Sequence, residues 1–316
     1  MTEILTEQRN PATMELDRMS PLEIVTVMNA EDAKIAQAVE RVLPQIARVV
    51  ELIAQALENG GRLLYFGAGT SGRLGVLDAS ECIPTFSVPP TMVQGFIAGG
   101  MQALTTSIEG AEDDREAGAR AVREEARATS RDLVVGIAAS GRTPYVIGAL
   151  EEAGRIGAAT IALVCTEGSP LAESADIALE LLVGPEVLTG STRLKAGTAQ
   201  KMVLNMLSTA AMIRLGKAYQ NLMVDLKATS SKLRTRARRI VRRVTGCSEE
   251  EAKALLEETS YRVKPALVMA LAGVDREEAE RRLEAAGGWV RRAVSAQGQA
   301  CDRGSGYWHA VSITCP

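Results

Sequence analysis

The residues of this sequence best suited to chemistry lie in three turns rich in glycine and hydroxyl groups, and in a scatter of carboxylates. The first turn, Gly67-Ala68-Gly69-Thr70-Ser71-Gly72-Arg73, follows a short apolar run, Leu63 to Phe66. That order reads as strand, turn, helix. Glycine tolerates positive φ, so Gly67 and Gly69 permit a sharp bend. Thr70 and Ser71 fall where a helix should start and can cap it. The free N–H groups of such a helix start suit an anion such as a phosphate, and Arg73 adds positive charge. Asp78, Glu81 and Cys82 are expected within one or two turns of this site. The second turn is Ala138-Ala139-Ser140-Gly141-Arg142-Thr143-Pro144. Pro144 suits a first helical turn, and Ser140 and Thr143 can donate to phosphate oxygens. The third, Gly184 to Lys195, carries Glu186, Ser191 and Lys195 and ends in two cations.

Proton transfer has few candidates. The only histidine is His309, in an aperiodic C-terminal stretch. This argues against Ser-His-Asp and Cys-His mechanisms and a histidine-held metal. Carboxylates, Lys, Tyr or Cys must then move protons. Glu81 follows the first turn. Glu109-Gly110-Ala111-Glu112-Asp113-Asp114 forms an acidic cluster after the next strand. Such a run also fits a plain helix start, where acids are favoured.

Gly67, Gly69 and Gly72 also spell the dinucleotide fingerprint G-x-G-x-x-G. That reading needs an acid about 20 residues on, at the end of the next strand. The next apolar run, Met92 to Ala98, ends in Gly99-Gly100 instead. A monophosphate fits two hydroxyls between glycines at least as well.

The elements that must position these residues alternate. Strands are expected at 62–66, 92–98, 133–138, 159–165 and near 177–183. Helical sequence lies between them, at 71–79, around 101–128 and from Pro144 to about 155. A helix from Glu31 to Leu57 precedes the strands, and a long one over 193–215 follows. This pattern predicts an α/β fold with a doubly wound parallel sheet, its chemistry at the carboxyl ends of the strands. Residues 1–20 read as an arm, 21–230 as the main domain, 231–295 as a small all-helical domain and 296–316 as an unstructured tail. The arginines from Arg234 to Arg243 share their stretch with Leu233, Ala237, Ile240, Val241 and Val244 at helical spacing, the mark of a solvated basic face.

Composition sets bounds. The 316 residues are 46% hydrophobic with net charge −3, and no apolar run approaches a membrane span. Nothing points to nucleic acid or a membrane as partner. The polar start predicts no secretory signal. Five scattered cysteines form no metal or disulfide pattern and predict a reduced, cytoplasmic setting.

Longer motifs carry a resemblance. Gly67-Ala-Gly-Thr-Ser-Gly-Arg-Leu-Gly-Val-Leu-Asp-Ala-Ser-Glu-Cys-Ile-Pro-Thr85 resembles the signature of N-acetylmuramic acid 6-phosphate etherases, of the sugar isomerase (SIS) domain superfamily. Arg9-Asn10-Pro11, Ile97-Ala-Gly-Gly100, Glu109-Gly-Ala-Glu-Asp113 and Gly136-Ile-Ala-Ala-Ser-Gly-Arg-Thr-Pro-Tyr145 agree in order. So do Thr189-Gly-Ser-Thr-Arg-Leu-Lys-Ala-Gly-Thr-Ala-Gln-Lys201 and Asn221-Leu-Met-Val-Asp225. The resemblance spans about 6–295 and departs at Ile83, where the family often has proline.

It implies an SIS fold and cleavage of the C3 lactyl ether of N-acetylmuramic acid 6-phosphate, by elimination and then hydration. The products are N-acetylglucosamine 6-phosphate and D-lactate. Glu81 matches the acid that assists lactate departure and Glu112 the second catalytic carboxylate. The implied substrate-binding set is Gly69, Thr70, Ser71, Gly72, Arg73, Ser140, Gly141, Arg142, Thr143, Glu186, Ser191 and Lys195. Arg73, Lys195 and Lys201 are candidates for the lactyl carboxylate. No metal or nucleotide is implied, and a homodimer is. The 246–295 helices resemble a small ubiquitin-associated-type module. Two alternatives share the fold: a regulator that senses sugar phosphates without turnover, and an aldose–ketose isomerase.

Overall fold

The computed structural model describes residues 5–295. The 296–316 tail, with Trp308 and His309, lies outside the described residues. After short 3-10 turns come α1 (Pro21–Asp32), α2 (Ile35–Glu40) and α3 (Leu43–Glu58). Then β1 (Leu63–Gly67), α4 (Gly69–Phe86), β2 (Val93–Ile97) and α5 (Arg115–Arg120) follow. Next are β3 (Leu133–Ala138), α6 (Pro144–Ile156), β4 (Ala159–Val164), α7 (Pro170–Glu173) and β5 (Ile177–Glu180). The long α8 (Lys195–Arg214) leads to a hairpin, β6 (Ala218–Tyr219) and β7 (Leu222–Met223). The described residues end in α9 (Ser231–Thr245), α10 (Glu249–Glu258), α11 (Val263–Ala272), α12 (Arg276–Ala285) and α13 (Val290–Ser295).

The five large strands form one parallel sheet in the order β2-β1-β3-β4-β5. Side chains alternate between its faces. Leu63, Tyr65, Val135, Ile137, Ile161 and Leu163 pack with α2, α3, α4 and α8 on one side. Leu64, Phe66, Val134, Ala162 and Val164 pack with α5 and α6 on the other. A sheet buried on both faces explains why its strands read as continuous apolar runs. The C-terminal helices close a separate core around Ile240, Leu256, Leu267 and Leu283. Asp225 ties that unit to the hairpin through Lys217 and Lys264, at 3.2 and 2.5 Å.

Several elements differ from expectation. The helix expected over Glu31–Leu57 is broken at Ala33-Lys34 and again around Arg41-Val42, the second time because Pro44 stands in the first turn of α3 and cannot continue a helix from before it. The 101–128 stretch is a series of short turns around α5, interrupted by Gly110 at φ +72°. The helix expected at 71–79 runs on from Gly69 to Phe86. Ala68, not Thr70 or Ser71, occupies its cap position, so those two hydroxyl residues lie inside the first turn. Among the described residues, no helix is long and apolar enough to cross a membrane.

Candidate active site

The carboxyl ends of β1 and β3 launch α4 and α6 toward one hollow. Gly67 and Gly72 touch back to back. A Cβ on Gly67 would sit 2.6 Å from the Gly72 nitrogen, and one on Gly72 would sit 2.7 Å from the Gly67 oxygen. The glycines of the fingerprint therefore let strand and helix approach closely. The first intrahelical bond of α4 runs from the Gly72 N–H to the Ala68 oxygen, at 3.2 Å. This leaves the N–H groups of Gly69, Thr70 and Ser71 at the helix's positive end.

A cavity of about 370 Å³ opens there. Gly69, Thr70 and Ser71 form one wall, Ser140, Arg142 and Thr143 another, and Glu112 and Asp113 a third. Thr143 is the cap residue of α6, yet its hydroxyl makes no capping bond, which leaves it available to a ligand. Ser140 Oγ accepts from the Arg142 N–H at 3.3 Å, which fixes this turn. Gly141 adopts φ +64°, and a Cβ there would meet Ser169 Oγ at 2.1 Å. A second hollow, of about 250 Å³, adjoins the first. Gly69 and Glu112 line both. Arg73 lines the second, held by a bond from Nε to the Leu104 oxygen at 3.1 Å. Other hollows lie elsewhere: one of about 520 Å³ at the amino ends of β3 and β4, another of about 420 Å³ beside the C-terminal unit. Neither faces the carboxyl ends of the strands, where ligands bind in this architecture.

The carboxylates expected near the first turn are carried away from it. Glu81 lies about 18 Å along α4 from Gly69 at 1.5 Å per residue. It is exposed and lines neither hollow. Asp78 is buried in the core, where Tyr65 OH donates to Oδ2 at 2.9 Å and Ser208 Oγ to Oδ1 at 3.0 Å. Burial pushes its pKa up to about 6, against those two bonds. Cys82 is buried beside it, and burial pushes its thiol up to about 12.

The third turn divides. Gly190 and Thr192 line the first cavity, but Ser191 does not. Glu186 caps α8 from within: its carboxylate accepts from the N–H groups of Lys195 and Ala196, at 3.0 and 2.9 Å. Burial raises its pKa despite these donors. Lys195 is 1% exposed, and its Nζ donates to Glu31 Oε2 at 2.6 Å. Both residues hold the wall from behind. Of the cations considered for the lactyl carboxylate, Arg73 is the one that lines a hollow.

The N-terminal arm supplies a residue that sequence reasoning missed. Asn10 Nδ2 donates to the Pro185 oxygen at 3.1 Å, and Thr13 Oγ1 to the Val187 oxygen at 2.9 Å. These bonds lay the arm on the third turn and bring Glu7 to the rim of the first cavity. A Cβ on Gly190 would sit 3.4 Å from Glu7 Oε2. Nothing in the sequence marked Glu7, one of four acids in the aperiodic 1–20 stretch.

Sheet order, the two helix starts and the hydroxyl-lined cavity define a sugar isomerase-type (SIS) domain. Family models agree: the SIS domain matches residues 116–210, and the glucokinase regulatory protein N-terminal SIS domain matches 45–153. The C-terminal lid domain of glucokinase regulatory protein matches 220–266. The chain belongs to the N-acetylmuramic acid 6-phosphate etherase family. It is 58% identical over 292 residues to the etherase of Serratia proteamaculans, covering 92% of this chain and 98% of that one. It is 56% identical over 297 residues to that of Rhizobium rhizogenes, covering 94% and 96%. The Yersinia pestis etherase is 56% identical over 291 residues, covering 92% and 98%.

Proposed function

We propose that this chain is a carbon–oxygen lyase that releases D-lactate from N-acetylmuramic acid 6-phosphate. The observation that supports it most is the single cavity that joins two helix starts and their hydroxyls, suited to phosphate, with the Glu112 carboxylate. The reaction needs a base, an acid and water. The base takes the C2 proton of the open-chain sugar, which the C1 aldehyde acidifies. The freed electron pair forms the C2–C3 double bond as the C3–oxygen bond breaks, and the acid protonates the departing lactate oxygen. Water then adds its oxygen to C3, and a proton returns to C2. Two carboxylates in different environments can serve both proton transfers. Glu81 takes the acid role and Glu112 that of the second carboxylate. Phosphate lies on the Thr70-Ser71 and Ser140–Thr143 turns, and Arg73 faces the lactyl carboxylate.

Glu81 is exposed and lies outside the cavity that Glu112 lines, which favours a homodimer in which Glu81 of one copy serves the cavity of the other. Leu77, one turn before Glu81 on the same helix face, is 45% exposed, as a subunit contact would require. The setting is cytoplasmic, in keeping with Cys82 and Cys165 buried as free thiols.

The test is D-lactate release from the substrate by purified protein in EDTA. Release supports the lyase. A second reading, a sugar-phosphate-sensing regulator, draws on the matches to domains of glucokinase regulatory protein. Tight binding of the sugar phosphate without lactate release would favour it.

A further inference from the structure

Ser71 has one proton to give, and the arrangement around it spends that proton inward. Ser71 lines the cavity, and its Oγ donates to Gln200 Oε1, on α8, at 2.9 Å. Gln200 is 1% exposed, and its Nε2 is buried with no hydrogen-bond partner among the described residues. A hydroxyl carries one donor and two acceptor positions, and an amide carries both donors and an acceptor. While Oε1 takes the Ser71 proton, Ser71 can offer an anion only lone pairs, and a buried donor goes unused on the same amide.

We propose that Gln200 sets the hydrogen-bond polarity of Ser71, and that its amide turns over when an anionic ligand occupies the cavity. Rotation by 180° about the terminal torsion, which has a broad two-fold profile, exchanges the amide nitrogen and oxygen. Nε2 then donates to Ser71 Oγ. Ser71 is free to donate outward, beside the N–H groups of Gly69 and Thr70. Oε1 moves to where Nε2 stood, and the bond Ser71 then makes to the anion, in place of its bond to Oε1, drives the turn. Gln200 touches neither the ligand nor the reacting atoms: it is a positioning residue acting through Ser71. The inference rests on the reading of this cavity as a sugar-phosphate site.

The experiment measures binding of N-acetylglucosamine 6-phosphate by titration calorimetry to the full chain and to Gln200→Glu, Gln200→Met, Ser71→Ala and Ser71→Ala/Gln200→Glu. Glutamate can only accept, so it keeps the Ser71 proton turned inward, and affinity should fall about tenfold or more. Methionine takes no proton, so affinity should stay within about threefold. The added charge of glutamate acts on the ligand whether or not Ser71 is present. In the Ser71→Ala background, Gln200→Glu should therefore cost clearly less than in the parent. Equal losses in both backgrounds, or a loss for methionine as large as for glutamate, would overturn the proposal. Product binding is read without turnover, so absence of lactate release would count against the lyase reading and leave this test standing.

Discussion

Lys195 Nζ and Glu31 Oε2 lie 2.6 Å apart with both side chains buried, and this pair joins the start of α8 to the end of α1. Burial alone would raise the Glu31 pKa, but hydrogen bonds from Lys195 and Lys34 outweigh it and hold the group at about 2. Removing Lys195 takes the buried one of the two cations from Glu31 and leaves only the more exposed Lys34, 2.5 Å from Oε1. Lys195→Ala should lower stability by about 3–5 kcal/mol at pH 7, read by urea unfolding. Because the folded pKa of Glu31 is depressed, its contribution is present above about 4.5 and fades as pH falls toward 2. The deficit of Lys195→Ala should shrink over that acid range.

Asp78 has the opposite sign. Its folded pKa is raised to about 6, so the native state binds an extra proton between the unfolded value of 3.8 and that point. This contribution to stability is greatest below 3.8 and is lost as pH rises through 6, by about 3 kcal/mol in all. Asp78→Asn should flatten that fall in urea titrations between pH 4.5 and 7.5. Asparagine can still accept from Tyr65, and the Ser208 hydroxyl can turn to accept from the new amide.

Glu81 and Glu112 should complement each other between subunits. Glu81→Ala and Glu112→Ala are each expected to abolish lactate release while the protein stays folded. Mixed, unfolded and refolded together, they should form hybrid dimers with one intact site in two. About a quarter of parental activity should return if dimers assemble at random. No return of activity would place both carboxylates in one copy.

Glu7 is expected to accept a hydrogen bond from a sugar hydroxyl or from the acetamido N–H. Glu7→Ala should raise KM about tenfold with a smaller change in kcat. Asn10→Ala, which frees the arm from Pro185, should produce part of the same effect and add little to it in the double variant.

What the sequence disclosed was local. The two turns at Gly67 and Ser140 were legible because strand, glycine, hydroxyl and helix follow one another within ten residues. The sheet was legible because its strands are apolar throughout. What it hid depends on long-range packing. The arm's seat rests on Asn10 and Pro185, 175 residues apart. Lys195 and Glu186 looked like ligand groups because their types suit anions and sugars. In the fold Lys195 pairs with Glu31 at the end of α1, and Glu186 accepts from the first N–H groups of α8. Asp78 looked close to the site in sequence, but a continuous helix turns it into the core.

The most direct measurement of the central claim is to run the reaction in oxygen-18 water and weigh both products. Unlabelled D-lactate is expected, with N-acetylglucosamine 6-phosphate carrying one oxygen-18 at C3 besides any that exchanges into the C1 aldehyde, because the C3–oxygen bond is the one that breaks and water adds there. Label in the lactate, or no lactate at all from folded protein that binds the substrate, would contradict it.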